Sequence, residues 1–524
     1  LSQVELIKGS AGDLYGRHSE AGLLKVQSLA PSWTFDATAQ LSHGYTDGAN
    51  DHQMSDVLIA RYSDSIVEDY LAGSVALRIE NTTGPQLNLF DSNKNGGKED
   101  NIGIAIGFDT KVNDLTDIYW RSHISRKKSG KANMRYLTGQ FSTSRFVTNY
   151  NTPTFDDKDS DIHSLKFVHL WNDLTLTAIT GATFYENLFK ADLDLSPTPI
   201  PASNMDLSDE MLSQEFRLSN NENDPIRWLF GLYFFNQHTD VDFTLGGSMV
   251  LPRANRVTEI KKTGLSVFGQ LTQELQSNIW LTLGLRAEKL NNEGAQQFNG
   301  SQFLEYQNDV SESIILPKVS LSYELKSNSQ LYASWTEGYL PAGFNYASAQ
   351  GLNSFTFAKE TSTNIEIGYK TKGFSDKLTF KSALFHIKTR DKQIVDLAPG
   401  FVQFISNAAE TSSYGAEISA NYQWENQWKS FIHVGTLNAT ADNFLLNRAT
   451  GTNLNIINLN GNDMPFSPDI SYGLGIEYQP NLGWFTKISI AGKSDYYFDV
   501  QNTLEQPSSI RVDMALGYHF ERFS

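Results

Sequence analysis

The sequence predicts an all-β membrane protein: an up-and-down antiparallel transmembrane β-barrel of about twenty strands, preceded by the end of a small α/β unit. Three observations predict it. Apolar and polar residues alternate at period two along most of the chain, the signature of strands with one apolar face. The connections between these runs alternate between short polar turns and mostly long links, as they do at the two ends of outer-membrane barrels. Trp171, Trp228, Trp280, Trp424, Trp428 and Trp484 flank the short turns, the arrangement expected of an indole belt at one membrane rim.

Composition narrows the class. The chain has 524 residues, 40% of them hydrophobic, with 22 Tyr and 32 Phe. It has no run of 18 apolar residues, so helical spans are excluded, whereas abundant aromatics suit strands. A net charge of −17 argues against a nucleic-acid binder, which would be basic. With no cysteine, disulfides and thiolate metal sites are excluded.

Residues 1–30 differ from the rest. Two strand-like runs, Val4–Ile7 and Leu23–Val26, flank a middle punctuated by Gly9, Gly12, Gly16 and Gly22. From residue 31 to 524 one kind of element recurs. Ile279, Leu281, Leu283 and Leu285 oppose Thr282, Gly284, Arg286 and Glu288. Ile470 to Tyr478 and Ile510 to Phe520 alternate in the same way. The strand from Lys377 to Asp391 alternates poorly, broken by Lys377, Lys381 and His386. Short turns include 111–114, 170–173, 275–278 and 373–376; long links include 128–160, 187–208, 292–311, 341–359 and 442–468. A soluble propeller or sandwich would also alternate faces, but gives no reason for a tryptophan rim or two populations of loop.

Residues 4–26, VELIKGSAGDLYGRHSEAGLLKV, resemble the C-terminal end of the plug domain of TonB-dependent outer-membrane receptors. Lys8-Gly9, Leu14-Tyr15-Gly16-Arg17 and Gly22 match; Ser10 stands where Pro is usual, and Ala21 replaces the first of two glycines. Further matches follow in the family's order: SQEFRLS (213–219), WLFGLYFF (228–235), LTLGLRAE (281–288), LPKVSLSYEL (316–325), YASWTEGYLPAGFN (332–345), KETSTNIEIGYKT (359–371), ISNAAETSSYGAEI (405–418) and MPFSPDISYGLGIEY (464–478). The resemblance implies a 22-stranded barrel, of which the sequence holds about twenty strands. The front of the plug, the TonB box and the last two strands are expected outside it.

The implied function is energy-coupled import of a scarce ligand, typically a ferric siderophore. TonB of the inner-membrane energy complex, outer-membrane lipid and lipopolysaccharide, and a small metal chelate are the implied partners. No intrinsic cofactor is implied; iron travels as the chelate. Vitamin B12, an oligosaccharide, or passive porin-like conduction are the alternatives, and the plug motif disfavours the last. No catalytic constellation occurs, so no enzymatic activity is expected. Haem is disfavoured because 341–359 lacks His, and His18 is read as a hydrogen-bonded plug residue ahead of a metal ligand.

Strand phase supplies site candidates. Ile365, Ile367 and Tyr369 share the lipid face, turning Glu366 into the lumen; Ala416, Ile418 and Ala420 do the same for Glu417. These carboxylates are expected to face the plug cations Lys8 and Arg17. Tyr339, Phe344, Asn345 and Tyr346, where the strand gives way to the 341–359 link, are the expected ligand contacts.

Overall fold

The computed structural model describes residues 2–20, 22–49, 53–130, 134–199, 202–221, 223–246, 253–300, 302–326, 328–349, 351–398, 402–425, 427–450 and 453–520; Ala21 lies outside them. A small N-terminal hairpin comes first. Strands β1 (Gln3–Lys8) and β2 (Gly22–Gln27) pair antiparallel and flank the single helical turn α1 (Gly12–Tyr15).

One barrel sheet of long strands follows. Its first half comprises β3 (Asp36–Thr46), β4 (Gln53–Val67), β5 (Leu71–Thr82), β6 (Glu99–Asn113), β7 (Thr116–Ser129), β8 (Phe155–Trp171), β9 (Leu174–Ala191), β10 (Ser203–Asn220), β11 (Ile226–Leu245) and β12 (Ala254–Gln276). Its second half comprises β13 (Ile279–Asn299), β14 (Phe303–Lys326), β15 (Ser329–Leu340), β16 (Glu360–Gly373), β17 (Leu378–Ala398), β18 (Val402–Gln423), β19 (Trp428–Thr450), β20 (Ile470–Tyr478), β21 (Gly483–Lys493) and β22 (Ser509–His519). Each pairs antiparallel with the next. Among the described residues β3 carries one ladder, to β4, and β22 one, to β21.

The apolar mass faces outward, as a lipid-facing wall requires. On β13, Leu283 and Leu285 are 41% and 54% exposed on the outer face, while Arg286 and Glu288 are 3% and 4% exposed inside. Trp171, Trp424 and Trp484 are open on the outside, and Trp428 packs on Tyr478 with ring centroids 4.9 Å apart. Trp280 departs from the expected belt. It has the inward phase of Thr282 and Gly284, and the Arg227 guanidinium lies 4.6 Å from its ring.

Two further expectations change. The 292–311 link is instead a continuous hairpin, paired from Asn292↔Val310 to Asn299↔Phe303. Likewise β10 begins at Ser203, and β19 runs on to Thr450. Beyond the membrane no lipid selects an apolar face, and the inward Asn292 and Gln296 are polar although buried, so the apolar alternation ends while the backbone ladder continues. The irregular strand is β17, and its register explains it. Ser382, Leu384 and His386 pair with the outward Tyr369, Ile367 and Ile365, so Lys381 points inward opposite Lys370. Phe385 points inward too, because Gly415 on β18 leaves room: a Cβ there would stand 2.7 Å from its ring. Lys377 lies at the turn, 3.3 Å from Glu425.

Candidate functional site: the seat of the N-terminal segment on the wall

The hairpin β1–α1–β2 lies inside the barrel and touches strands from β10 to β18. Its first contact is ionic: Lys8 Nζ stands 2.5 Å from Glu417 Oε2. The pair is wet, with side-chain exposures of 55% and 33%, so solvent screens it and its contribution is at most about 1 kcal/mol. Glu366 also faces the segment, with its Oε2 3.7 Å from where a Gly9 Cβ would lie, and among the described residues it is in no salt bridge with Lys8 or Arg17. It accepts from the Tyr332 hydroxyl at 2.5 Å.

Arg17 goes elsewhere. Gly16 has φ +72° and turns the chain away from β16–β18 towards β10–β13, a conformation that favours glycine. The Arg17 guanidinium therefore sits 3.4 Å from the Phe235 ring centre, with Met211 Sδ 3.6 Å from Nη2. It pairs with neither Glu366 nor Glu417. His18 is tied through its backbone, donating its N–H to the Tyr339 carbonyl at 3.1 Å. The residue remains exposed on the lumen side, and the hydrogen bond that ties it is the backbone one.

Sequence reasoning missed the polar centre beneath α1. Arg286 Nε donates to Glu288 Oε2 at 2.9 Å, and Nη2 donates to Ser266 Oγ at 2.7 Å. The Ser266 hydroxyl donates to Glu288 Oε2 at 2.7 Å, and the Tyr339 hydroxyl donates to Glu288 Oε1. Arg286 Nη1 reaches the Leu14 carbonyl at 3.4 Å, linking this centre to the N-terminal segment. Gly16 is required here twice over, since a Cβ would lie 2.6 Å from Arg286 Nε. The legible signal was the adjacent inward pair Arg286 and Glu288, a buried cation and anion that must satisfy each other.

The expected ligand contacts fall on packed positions. Tyr339 is fully buried, its hydroxyl engaged by Glu288. Phe344 lies over Gly294 and packs 4.8 Å from Phe355. Asn345 bridges backbones, donating to the Ile405 carbonyl at 2.9 Å and accepting from the Ile405 N–H at 2.8 Å. Tyr346 packs on the cluster of Val241, Phe243 and Leu245. The link begins by folding inward against the wall, so Tyr339, Phe344 and Asn345 present no open surface.

A lipid-facing antiparallel barrel of this size, with a segment seated in its lumen, has the architecture of an outer-membrane barrel. The chain belongs to the family described as TonB dependent receptor-like, beta-barrel, whose model matches residues 100–524. It is a bacterial outer-membrane protein of the transport class, not an enzyme. Among solved structures, the ferric yersiniabactin uptake receptor FyuA from Yersinia pestis superposes with a TM-score of 0.82 at 19% identity, covering 98% of this chain and 77% of that one. The siderophore receptor PiuA from Acinetobacter baumannii gives 0.81 at 17%, covering 99% and 80%. The copper transporter OprC gives 0.69 at 12%, covering 98% and 77%. At these identities the likeness establishes the fold.

Proposed function

We propose that this receptor imports an iron chelate of the siderophore type, drawing on energy delivered by TonB. Residues 1–30 are then the C-terminal end of the plug domain, and residues 31–524 belong to the barrel. The observation that carries the reading is the seat itself. The segment is held against the wall by Lys8–Glu417, by the His18 N–H on the Tyr339 carbonyl, and by Arg286 on the Leu14 carbonyl. A plug must block a wide lumen at rest and yet yield, and a mixture of wet and buried polar contacts suits both demands.

The cargo class rests on the family, together with solved relatives described as ferric yersiniabactin and siderophore receptors. The chelate carries the iron, and the protein needs no cofactor of its own. TonB is the inner-membrane partner in this reading; outer-membrane lipid and lipopolysaccharide meet the outer wall and loops. Phe344 and Asn345 shape the floor of the 341–359 link, and Tyr346 is the one of the four with surface left for ligand.

Iron-starved cells carrying the receptor should accumulate radioactive iron supplied as a siderophore chelate, and lose that uptake when TonB is deleted. Uptake of vitamin B12 or an oligosaccharide instead, or chelate entry without TonB, would contradict the proposal. A Tyr346→Ala variant that keeps wild-type affinity and uptake would remove ligand contact from that position.

A further inference from the structure

The wall beneath α1 contains a row of three residues that hydrogen-bond registry sets side by side. Gln270 on β12 lies directly opposite Gly284 on β13, and Gly284 lies directly opposite Lys318 on β14. All three share the inward phase. The row therefore offers an amide donor, a gap with no side chain and an ammonium group.

Asp13 fills the gap. Its side chain is 1% exposed. Its Oδ2 accepts from Gln270 Nε2 at 3.1 Å and stands 3.7 Å from Lys318 Nζ. The fit leaves nothing to spare: a Cβ on Gly284 would lie 2.5 Å from Asp13 Oδ2 and 3.1 Å from Asp13 Cβ. A buried carboxylate with one amide and one cation is stable only while it stays in such a niche.

We propose that Asp13, seated in the Gln270–Gly284–Lys318 socket, is the positioning residue that holds the plug segment closed at rest. This rests on the reading that the segment is a plug which yields during transport. Lys8–Glu417 is the lesser holding contact, because water already screens it. Asp13 is nearly sealed from water, so moving the segment means drawing a charge out of its socket against both partners. The socket also accounts for glycine at position 284, between the larger inward residues Thr282 and Arg286 of β13.

The test uses the full receptor, purified from outer membranes and placed in planar bilayers, with ion conductance measured across a urea series. Heat-modifiable migration on gels confirms a folded barrel for each variant. Asp13→Ala should raise the open fraction about tenfold, since a hydrogen bond to a charged group contributes at least that factor. Asp13→Asn should fall between Asp13→Ala and wild type, and Lys8→Ala should change little. Gly284→Ala should also open the channel, but add less in an Asp13→Ala background, where the colliding carboxylate is gone. Conductance of Asp13→Ala equal to wild type, or full additivity of Asp13→Ala and Gly284→Ala, overturns the proposal. Conductance does not depend on cargo, so a receptor that imports no iron chelate would count against the import reading and leave this result standing.

Discussion

At the scale of residues, burial decides which contacts matter. Glu288 is held by Arg286, Ser266 and Tyr339 with almost no water at hand. Tyr339→Phe deletes one donor to a buried carboxylate, a loss of roughly 1.5–3 kcal/mol, and the urea midpoint of the folded receptor should fall accordingly. Arg286→Ala leaves the carboxylate without its cation and should cost more, about 3–5 kcal/mol. The inward phases of Glu366, Glu417, Arg286 and Glu288 were legible because their neighbours are aliphatic and regularly spaced. Their partners were not, because pairing depends on where a short segment from another part of the chain comes to rest. Arg17 illustrates this: a left-handed Gly16 one residue earlier redirects it onto Phe235, and nothing local in the sequence fixes that direction.

At the scale of elements, the membrane makes strands readable and water makes them less so. The run from Leu281 to Glu288 alternates because lipid selects one face. The consequence is testable on β16, where Ile367 is 53% exposed outward and Glu366 faces in. Ile367→Lys should cost roughly 2–4 kcal/mol near the midplane, measured as a lower urea midpoint in vesicles, whereas Glu366→Gln should leave that midpoint nearly unchanged. Above the membrane the same argument fails, and the 292–311 hairpin reads as a loop because neither face needs to be apolar. The link between β9 and β10 carries a pH dependence of its own. Asp192 is 3% exposed, and burial together with the Asp194 carboxyl pushes its own carboxyl up to about 6. A raised carboxylate favours the packed link when protonated. That stabilisation is full below the ordinary Asp range, near 4, and is lost as pH rises through about 6. Protease cleavage in 192–202 should therefore increase from pH 4 to pH 7, and Asp192→Asn should flatten the profile.

At the scale of the whole molecule, the proposed function makes the barrel a fixed wall and the N-terminal segment the part that yields. Its contacts reach from Met211 on β10 to Glu417 on β18, so the segment cannot shift without breaking several at once. The barrel itself was legible from alternation, turn lengths and tryptophans; the strength of the seat was not, since it depends on the Gln270–Gly284–Lys318 row lining up across three strands. The central claim is that this segment must leave its seat for transport. The 524 residues hold no cysteine, so a thiol reagent finds only an engineered pair among them. Lys8 and Glu417 meet across the seat, their side-chain ends 2.5 Å apart, so cysteines at both positions suit a short, reducible bis-thiosulfonate reagent. The measurement is iron-chelate uptake by cells carrying Lys8→Cys with Glu417→Cys, cross-linked and then reduced. Uptake should be abolished in the cross-linked receptor while chelate binding persists, and return with reductant; wild-type uptake by the fully cross-linked protein would contradict the account.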